Sequence, residues 1–435
     1  MMNFIETSVF LILFSLLGLS SIAQINTEFT PIPASFGINS ANPIYALDIN
    51  YDDIDFEKQV FHIFLPDTVG NYPLVVFIHG GGFVGGSPDG AITDPAKRAD
   101  IKYFLERGFA YASFGYRLIE TTQADPDGVI KSLKDSKRAL QFVRHYAEDL
   151  YINPEKIALV GSSAGAGTSL WLGMRDDMAE PDADDPVLHE STRVCAVVLN
   201  GSQATYDLYK WESQVYNNFD GNGTTYTLDS LENLLGYDRF SNFYGGVDSL
   251  GQIFTDPALI QYREDVDMLF HMSADDAPIY IRSTSLAVHP NQNIFHHAFH
   301  GREIYETALA ANISEVKAEI PYLSVNTTAG ESRNEFLERH LNECTLSTST
   351  TENIADSKEL NIYPNPANTH IQIDLQEGQI NEIEIFSITG QLMQRLNNCI
   401  FNTIEIPVSN LPLGTYMVRV TTENGLKISK IIIVQ

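Results

Sequence analysis

The sequence predicts an α/β protein: a large domain built on a mostly parallel sheet with helices on both faces, followed by a small C-terminal β-sandwich. Two observations predict it. From about residue 44 to 343, short apolar runs alternate with segments of helical periodicity, the pattern of parallel strands joined by helical crossovers. Beyond about residue 358 the pattern changes to period two, with short runs separated by Gly, Asn and Pro.

Taken in chain order, residues 1–23 read as a signal peptide. Val9 to Leu19 is apolar, Ser21 and Ala23 are small, and the run is shorter than the roughly 18 residues a membrane span needs. The stretch before it carries Glu6 and no Lys or Arg, a departure from the usual basic start. Residues 24–344 form the large domain. PLVVFIHG (73–80), GFAYASFGYRL (108–118), KIALVGSS (156–163), VCAVVLNGS (194–202) and PIYIRS (278–283) are its clearest strands. Between the second and third, Val129, Leu133, Leu140 and Val143 recur at the spacing of an amphipathic crossover helix.

Two stretches break the alternation. Residues 174–193 are acidic and hold Pro181 and Pro186, which reads as a solvated loop; Asp182, Asp184 and Asp185 are weighed as calcium ligands and set aside, because acidic loops need no ion to be solvated. Residues 204–275 are longer than a crossover requires and carry many aromatics. An insertion there lies over the carboxyl ends of the strands, where ligands bind, so it is expected to be a lid or substrate wall. Most of its rings should form its own core and two or three should face a ligand. Residues 345–357 are Ser/Thr-rich and read as a linker to the module at 358–435.

With 27 basic and 56 acidic residues, the chain has a formal charge of −29. That balance argues against nucleic acid and against electrostatic anchorage to an anionic lipid surface. The three cysteines, Cys195, Cys344 and Cys399, are scattered and odd in number, so no disulfide framework is expected, and Cys195 reads as a small core residue.

The strongest chemical signal is Gly161-Ser162-Ser163-Ala164-Gly165, between a strand and a helix. A nucleophilic serine on such a sharp turn needs tiny neighbours, and the helix N-terminus adds positive potential beside a developing oxyanion. Upstream, His79-Gly80-Gly81-Gly82-Phe83 follows directly on a strand, where glycines let backbone N–H groups approach a tetrahedral intermediate.

Together with Tyr116-Arg117-Leu118 and Asn153-Pro154-Glu155-Lys156-Ile157, these motifs resemble the α/β-hydrolase esterases of the hormone-sensitive-lipase and bacterial feruloyl-esterase-like type over residues 44–343. The resemblance implies the α/β-hydrolase fold with an eight-stranded sheet, Ser163 as nucleophile, and an oxyanion hole from the N–H groups of Gly81, Gly82 and Ala164. It implies a carboxylesterase acting on small-molecule or carbohydrate-linked acyl or feruloyl esters, with no cofactor and no metal.

The other two members of a catalytic triad are not where the resemblance puts them. The segment after PIYIRS holds no carboxylate, and Gly330-Glu331 stands where a Gly-His pair is expected after the last strand. The candidate acids and bases are His296 and His297, from the histidine-rich FHHAFH, then Asp276 and Glu331. Asp276 also reads as a turn entering a strand. Asp207, at the preceding strand end, is a further acid; His300 lies in the same cluster and His340 on a surface helix. The alternative is a degenerate hydrolase that binds without turnover.

In the C-terminal module, Tyr363-Pro364-Asn365-Pro366 and Gly414-Thr415-Tyr416 resemble the sorting domain of the type IX secretion system of Bacteroidetes. That implies export to the medium or cell surface, with the secretion machinery as partner and no transmembrane segment in the mature chain.

Overall fold

Apolar runs become strands where both faces are covered. In the computed structural model, the run at 72–78 is the clearest case: Leu74, Val76 and Ile78 enter one core and Val75 and Phe77 the other, so its period-two alternation feeds cores on opposite faces of one sheet. The structure describes residues 25, 27–67, 69–216, 227–247, 251–288, 292–344, 360–365, 367–375, 380–387, 392–422 and 425–433. The expected signal peptide and linker lie outside these. The chain divides into two compact units, Met1–Thr348 and Ser349–Gln435.

The first unit is built on a mostly parallel sheet covered by helices. Its sheet comprises β1 (Thr30–Pro31), β2 (Ile44–Asn50), β3 (Val60–Leu65), β4 (Tyr72–Ile78), β5 (Ala110–Phe114), β6 (Ile152–Ser162), β7 (Val197–Asn200), β8 (Ile279–Arg282), β9 (Val316–Ile320) and β10 (Val325–Asn326). The order is β1-β2-β3-β5-β4-β6-β7-β8-β9-β10. Strands β5, β4, β6, β7, β8 and β9 are mutually parallel, and the flanking pairings are antiparallel. The eight strands implied by the sequence are thus joined by two edge strands of two residues each, β1 and β10.

The helices are α1 (Gly90–Thr93), α2 (Pro95–Leu105), α3 (Val129–His145), α4 (Ala164–Gly173), α5 (Leu228–Leu235), α6 (Tyr237–Phe243), α7 (Gln252–Thr255), α8 (Pro257–Asp265), α9 (Ala298–Ala310) and α10 (Arg333–Glu343). Local chemistry sets their starts. Asp94 and Asp256 each accept from the backbone N–H two residues on, ahead of a proline at the first helical position of α2 and α8. On α3 the predicted stripe of Val129, Leu133, Leu140 and Val143 is buried.

The insertion between β7 and β8 contains α5 to α8. Tyr206, Trp211, Tyr216, Phe240 and Tyr244 are buried in the main core. The acidic loop is more engaged than a solvated loop: Asp185 caps the turn Pro186–His189 and pairs with Arg138, while Lys137 pairs with Glu180.

The cysteine expectation is corrected. Cys195 and Cys344 form a disulfide that closes a separation of 149 residues, from the start of β7 to the end of α10. No local spacing marks such a pair in the sequence, because the two strand-and-helix ends meet only once the sheet is folded.

In the second unit, β11 (Leu360–Tyr363), β12 (His370–Leu375) and β15 (Thr403–Pro407) form one antiparallel sheet. β13 (Ile380–Ser387), β14 (Leu392–Phe401), β16 (Gly414–Thr422) and β17 (Gly425–Ile433) form another, in the order β14-β13-β16-β17. Ile371, Ile373 and Ile406 of the first share a core with Ile383, Ile385 and Val418 of the second, which makes a β-sandwich.

Candidate active site

Strand β6 runs into α4 through Ser163, which caps the helix at φ 54° and ψ −122°. A non-glycine residue there costs about 1 to 3 kcal/mol and persists only where its surroundings hold it. Here the Ser163 N–H donates to Asn200 O at 2.9 Å and the Asn200 amide donates to Gly161 O at 3.0 Å, tying the turn to β7. The turn also packs on β4: a Cβ at Gly165 would lie 2.1 Å from Ile78 O, so only glycine admits the approach.

The loop after β4 is fixed from below. The His79 ring stacks on Tyr116 at 4.2 Å between centroids, and the Tyr116 hydroxyl donates to His79 O at 2.8 Å. Burial lowers the His79 pKa to about 4, so it is a neutral structural group at physiological pH. Arg117 beside Tyr116 is clamped by a bidentate pair to the buried Asp135. These contacts explain the Tyr-Arg-Leu motif: it anchors the glycine loop. Gly81 adopts φ 120°, a conformation closed to other residues, and the loop bends over Ser163.

A cavity of about 350 Å³ opens at this point. Gly81, Gly82, Ser163, Ala164 and His296 line its base, and Phe83, Tyr206, Trp211, Phe243 and Phe295 form much of its wall. Tyr206, Trp211 and Phe243 are the rings of the insertion that face it. Among the described residues none accepts a hydrogen bond from the N–H of Gly81, Gly82 or Ala164.

His296 Nε2 lies 2.8 Å from Ser163 Oγ. The histidine comes from the connection between β8 and α9, not from beyond the last strand. Its Nδ1 lies 3.1 Å from Asn293 Oδ1, and the Asn293 amide nitrogen donates to Ser285 Oγ at 3.2 Å. With the amide oxygen toward His296 and the amide nitrogen toward Ser285, Nδ1 carries the proton and Nε2 offers a lone pair to Ser163. Burial lowers the His296 pKa, and among the described residues no carboxylate pairs with it.

The remaining sequence candidates stand elsewhere. His297 is fully buried at the N-cap of α9, where its Nδ1 accepts from Phe299 N–H. His300 is also buried; Nδ1 accepts from Ala204 N–H and Nε2 donates to Ile294 O, bracing the backbone two residues before His296. Asp276 accepts from Ser273 N–H and faces Arg193 at 3.5 Å, with burial raising its pKa to about 6. Glu331 is held by Arg339 at 2.8 Å, Asp207 by Arg263 and Tyr244, and His340 by Glu315. None of these contacts Ser163. Asn293 is the residue sequence reading passes over, because the search was for a carboxylate; its one signal is its place three residues before His296.

This fold, with a serine elbow, a glycine loop and a histidine on the serine, defines the class as an esterase-type α/β hydrolase. By family comparison, residues 61–240 match the BD-FAE model and residues 361–435 the secretion system C-terminal sorting domain. The sorting tail marks the chain as exported to the medium or the cell surface by type IX secretion. Acetylcholinesterase of Gallus gallus is 35% identical over 101 residues, 22% of this chain and 12% of that protein. Esterase-5A of Drosophila persimilis is 32% identical over 111 residues, 25% of this chain and 20% of that protein. The chain thus spans about a fifth or less of these relatives. A truncated carbohydrate esterase from gut microbiota shares 16% identity at a TM-score of 0.48, covering 68% of this chain and 96% of that one. Among the described residues, no helix is long and apolar enough to cross a membrane.

Proposed function

We propose that the protein is a secreted carboxylic-ester hydrolase that works through an acyl-enzyme on Ser163. The single observation that carries this is the 2.8 Å contact between His296 Nε2 and Ser163 Oγ, with Nδ1 held by Asn293. Ser163 Oγ attacks the ester carbonyl while His296 Nε2 takes its proton. The oxyanion forms against the N–H groups of Gly81, Gly82 and Ala164, where each donor contributes about 100- to 1000-fold in rate. Collapse returns the proton from His296 to the departing alcohol oxygen. Water, activated by the same imidazole, then releases the acid. Asn293 takes the place of the usual acid: it orients the ring without adding a negative charge. The aromatic wall of the pocket suits a flat acyl group such as feruloyl, and the BD-FAE match supports that choice.

The test is labelling of the full-length protein with an active-serine fluorophosphonate. Wild type should label rapidly, and Ser163→Ala and His296→Gln should not. A folded wild-type sample that fails to label would leave a pocket that binds without turnover.

A further inference from the structure

Arg239, on α6, brings a guanidinium into the wall of the Ser163 cavity. It is half-buried, and its Nη2 donates to Gly82 O at 3.3 Å. A Cβ at Gly82 would lie 2.5 Å from the same nitrogen, so the guanidinium rests directly against the glycine loop. The cation also sits 5.5 Å from the ring of Phe295, next to His296. Several other arginines of this unit hold carboxylates, among them Arg117 with Asp135, Arg263 with Asp207 and Arg333 with Asp100, whereas the buried Arg144 is held by three backbone carbonyls. Among the described residues Arg239 has no such partner, and burial alone lowers its pKa. A half-desolvated cation without a counter-charge is costly, and of its five N–H donors the Gly82 contact uses one.

We infer that the substrate carries a carboxylate that pairs with Arg239 while its ester lies against Ser163. This rests on the esterase reading and names its substrate class. The planar fork of Arg matches a carboxylate bidentately, and the pairing is strongest in a site partly shielded from water. The rest of the molecule makes the assignment more pointed: at a net charge of −29, the protein repels anions at long range, so acceptance of an acidic ester must come from a local cation. The carboxylate belongs either to the acyl part, as in a half-ester of a dicarboxylic acid, or to the alcohol part, as in an acylated uronic acid.

Two matched pairs distinguish these sources. On the acyl side, 4-nitrophenyl butyrate is compared with mono-4-nitrophenyl succinate. On the alcohol side, acetylated methyl galactoside is compared with acetylated methyl galacturonide, following acetate release. In one pair the full-length wild type should favour the acidic member in kcat/KM by about tenfold or more. Arg239→Gln should reduce that ratio to near one, and Arg239→Lys should retain part of it. The ratio is internal to each variant, so a general loss of activity does not mimic the effect. No preference in either pair overturns the inference, as does a preference that survives Arg239→Gln or an equal loss on both members. Should wild type hydrolyse no ester, the esterase reading fails separately. The inference is then read by calorimetric titration of Ser163→Ala with monomethyl succinate and with galacturonate. Saturable binding to one of them, weakened about tenfold or more by adding Arg239→Gln, supports it; no binding overturns it.

Discussion

Replacing Asn293 by Asp converts the neutral partner of His296 into a charged one and should move the acid limb of the pH–rate profile upward. In the native protein, burial lowers the His296 pKa from 6.5 and no carboxylate opposes it. His296 is therefore neutral and able to accept the Ser163 proton below pH 6.5, and the acid limb of kcat/KM should lie below that value. In Asn293→Asp the new charge sits where Oδ1 now lies, 3.1 Å from Nδ1. With charge centres about 4 Å apart and an effective dielectric of about 20, the attraction is about 4 kcal/mol, equivalent to about 3 pKa units. The cavity admits solvent, so an upward shift of about 1 to 2 units is expected. The protonated form then persists to higher pH, and activity is lost earlier on acidification. The assay is kcat/KM on a neutral aryl ester from pH 4.5 to 9 for both proteins. An acid limb that stays in place, or moves down, would refute the assignment of Asn293 as the partner of the catalytic base.

Two further predictions concern stability. Cys195→Ser removes a crosslink that spans 149 residues and should destabilise the hydrolase unit by about 2 to 5 kcal/mol, read as the midpoint of urea unfolding; an unchanged midpoint under oxidising conditions would show that the bond adds nothing. Acidification should also destabilise the protein. His79 and His300 are buried neutral, with pKa values lowered to about 4 and about 3. Below pH 6.5 the unfolded chain binds two protons that the folded one does not, so stability falls by about 3 kcal/mol per pH unit until the folded values are reached. A melting temperature that is flat between pH 7 and pH 5 would contradict this.

The elbow, the glycine loop and the strands that carry them were legible because each is local. A serine at φ 54° demands small neighbours within two residues, and buried parallel strands demand unbroken apolar runs. The histidine cluster at 296–300 was visible, but not which ring meets Ser163. His296 and His297 are adjacent in the chain, and the start of α9 turns one toward the cavity and the other into the core. The carboxylates the sequence offered, Asp276, Asp207 and Glu331, are each held by an arginine, the first two by arginines more than fifty residues away and Glu331 by Arg339 of the following helix.

By itself, then, the sequence determined the α/β-hydrolase sheet, the sorting module and the serine elbow and glycine loop on which the proposed nucleophile and oxyanion donors stand. Periodicity and backbone sterics act over a few residues and can be read in order. Only the tertiary structure decided that Asn293 and not a carboxylate stands behind His296, that Cys195 reaches Cys344, and that Arg239 faces the cavity unpaired among the described residues. The disulfide, the approach of Arg239 to Gly82 and the meeting of His296 with Ser163 each join residues more than a hundred positions apart, which only the folded sheet and its insertion bring together, while Asn293 is local to His296 but its role depends on which way that loop faces.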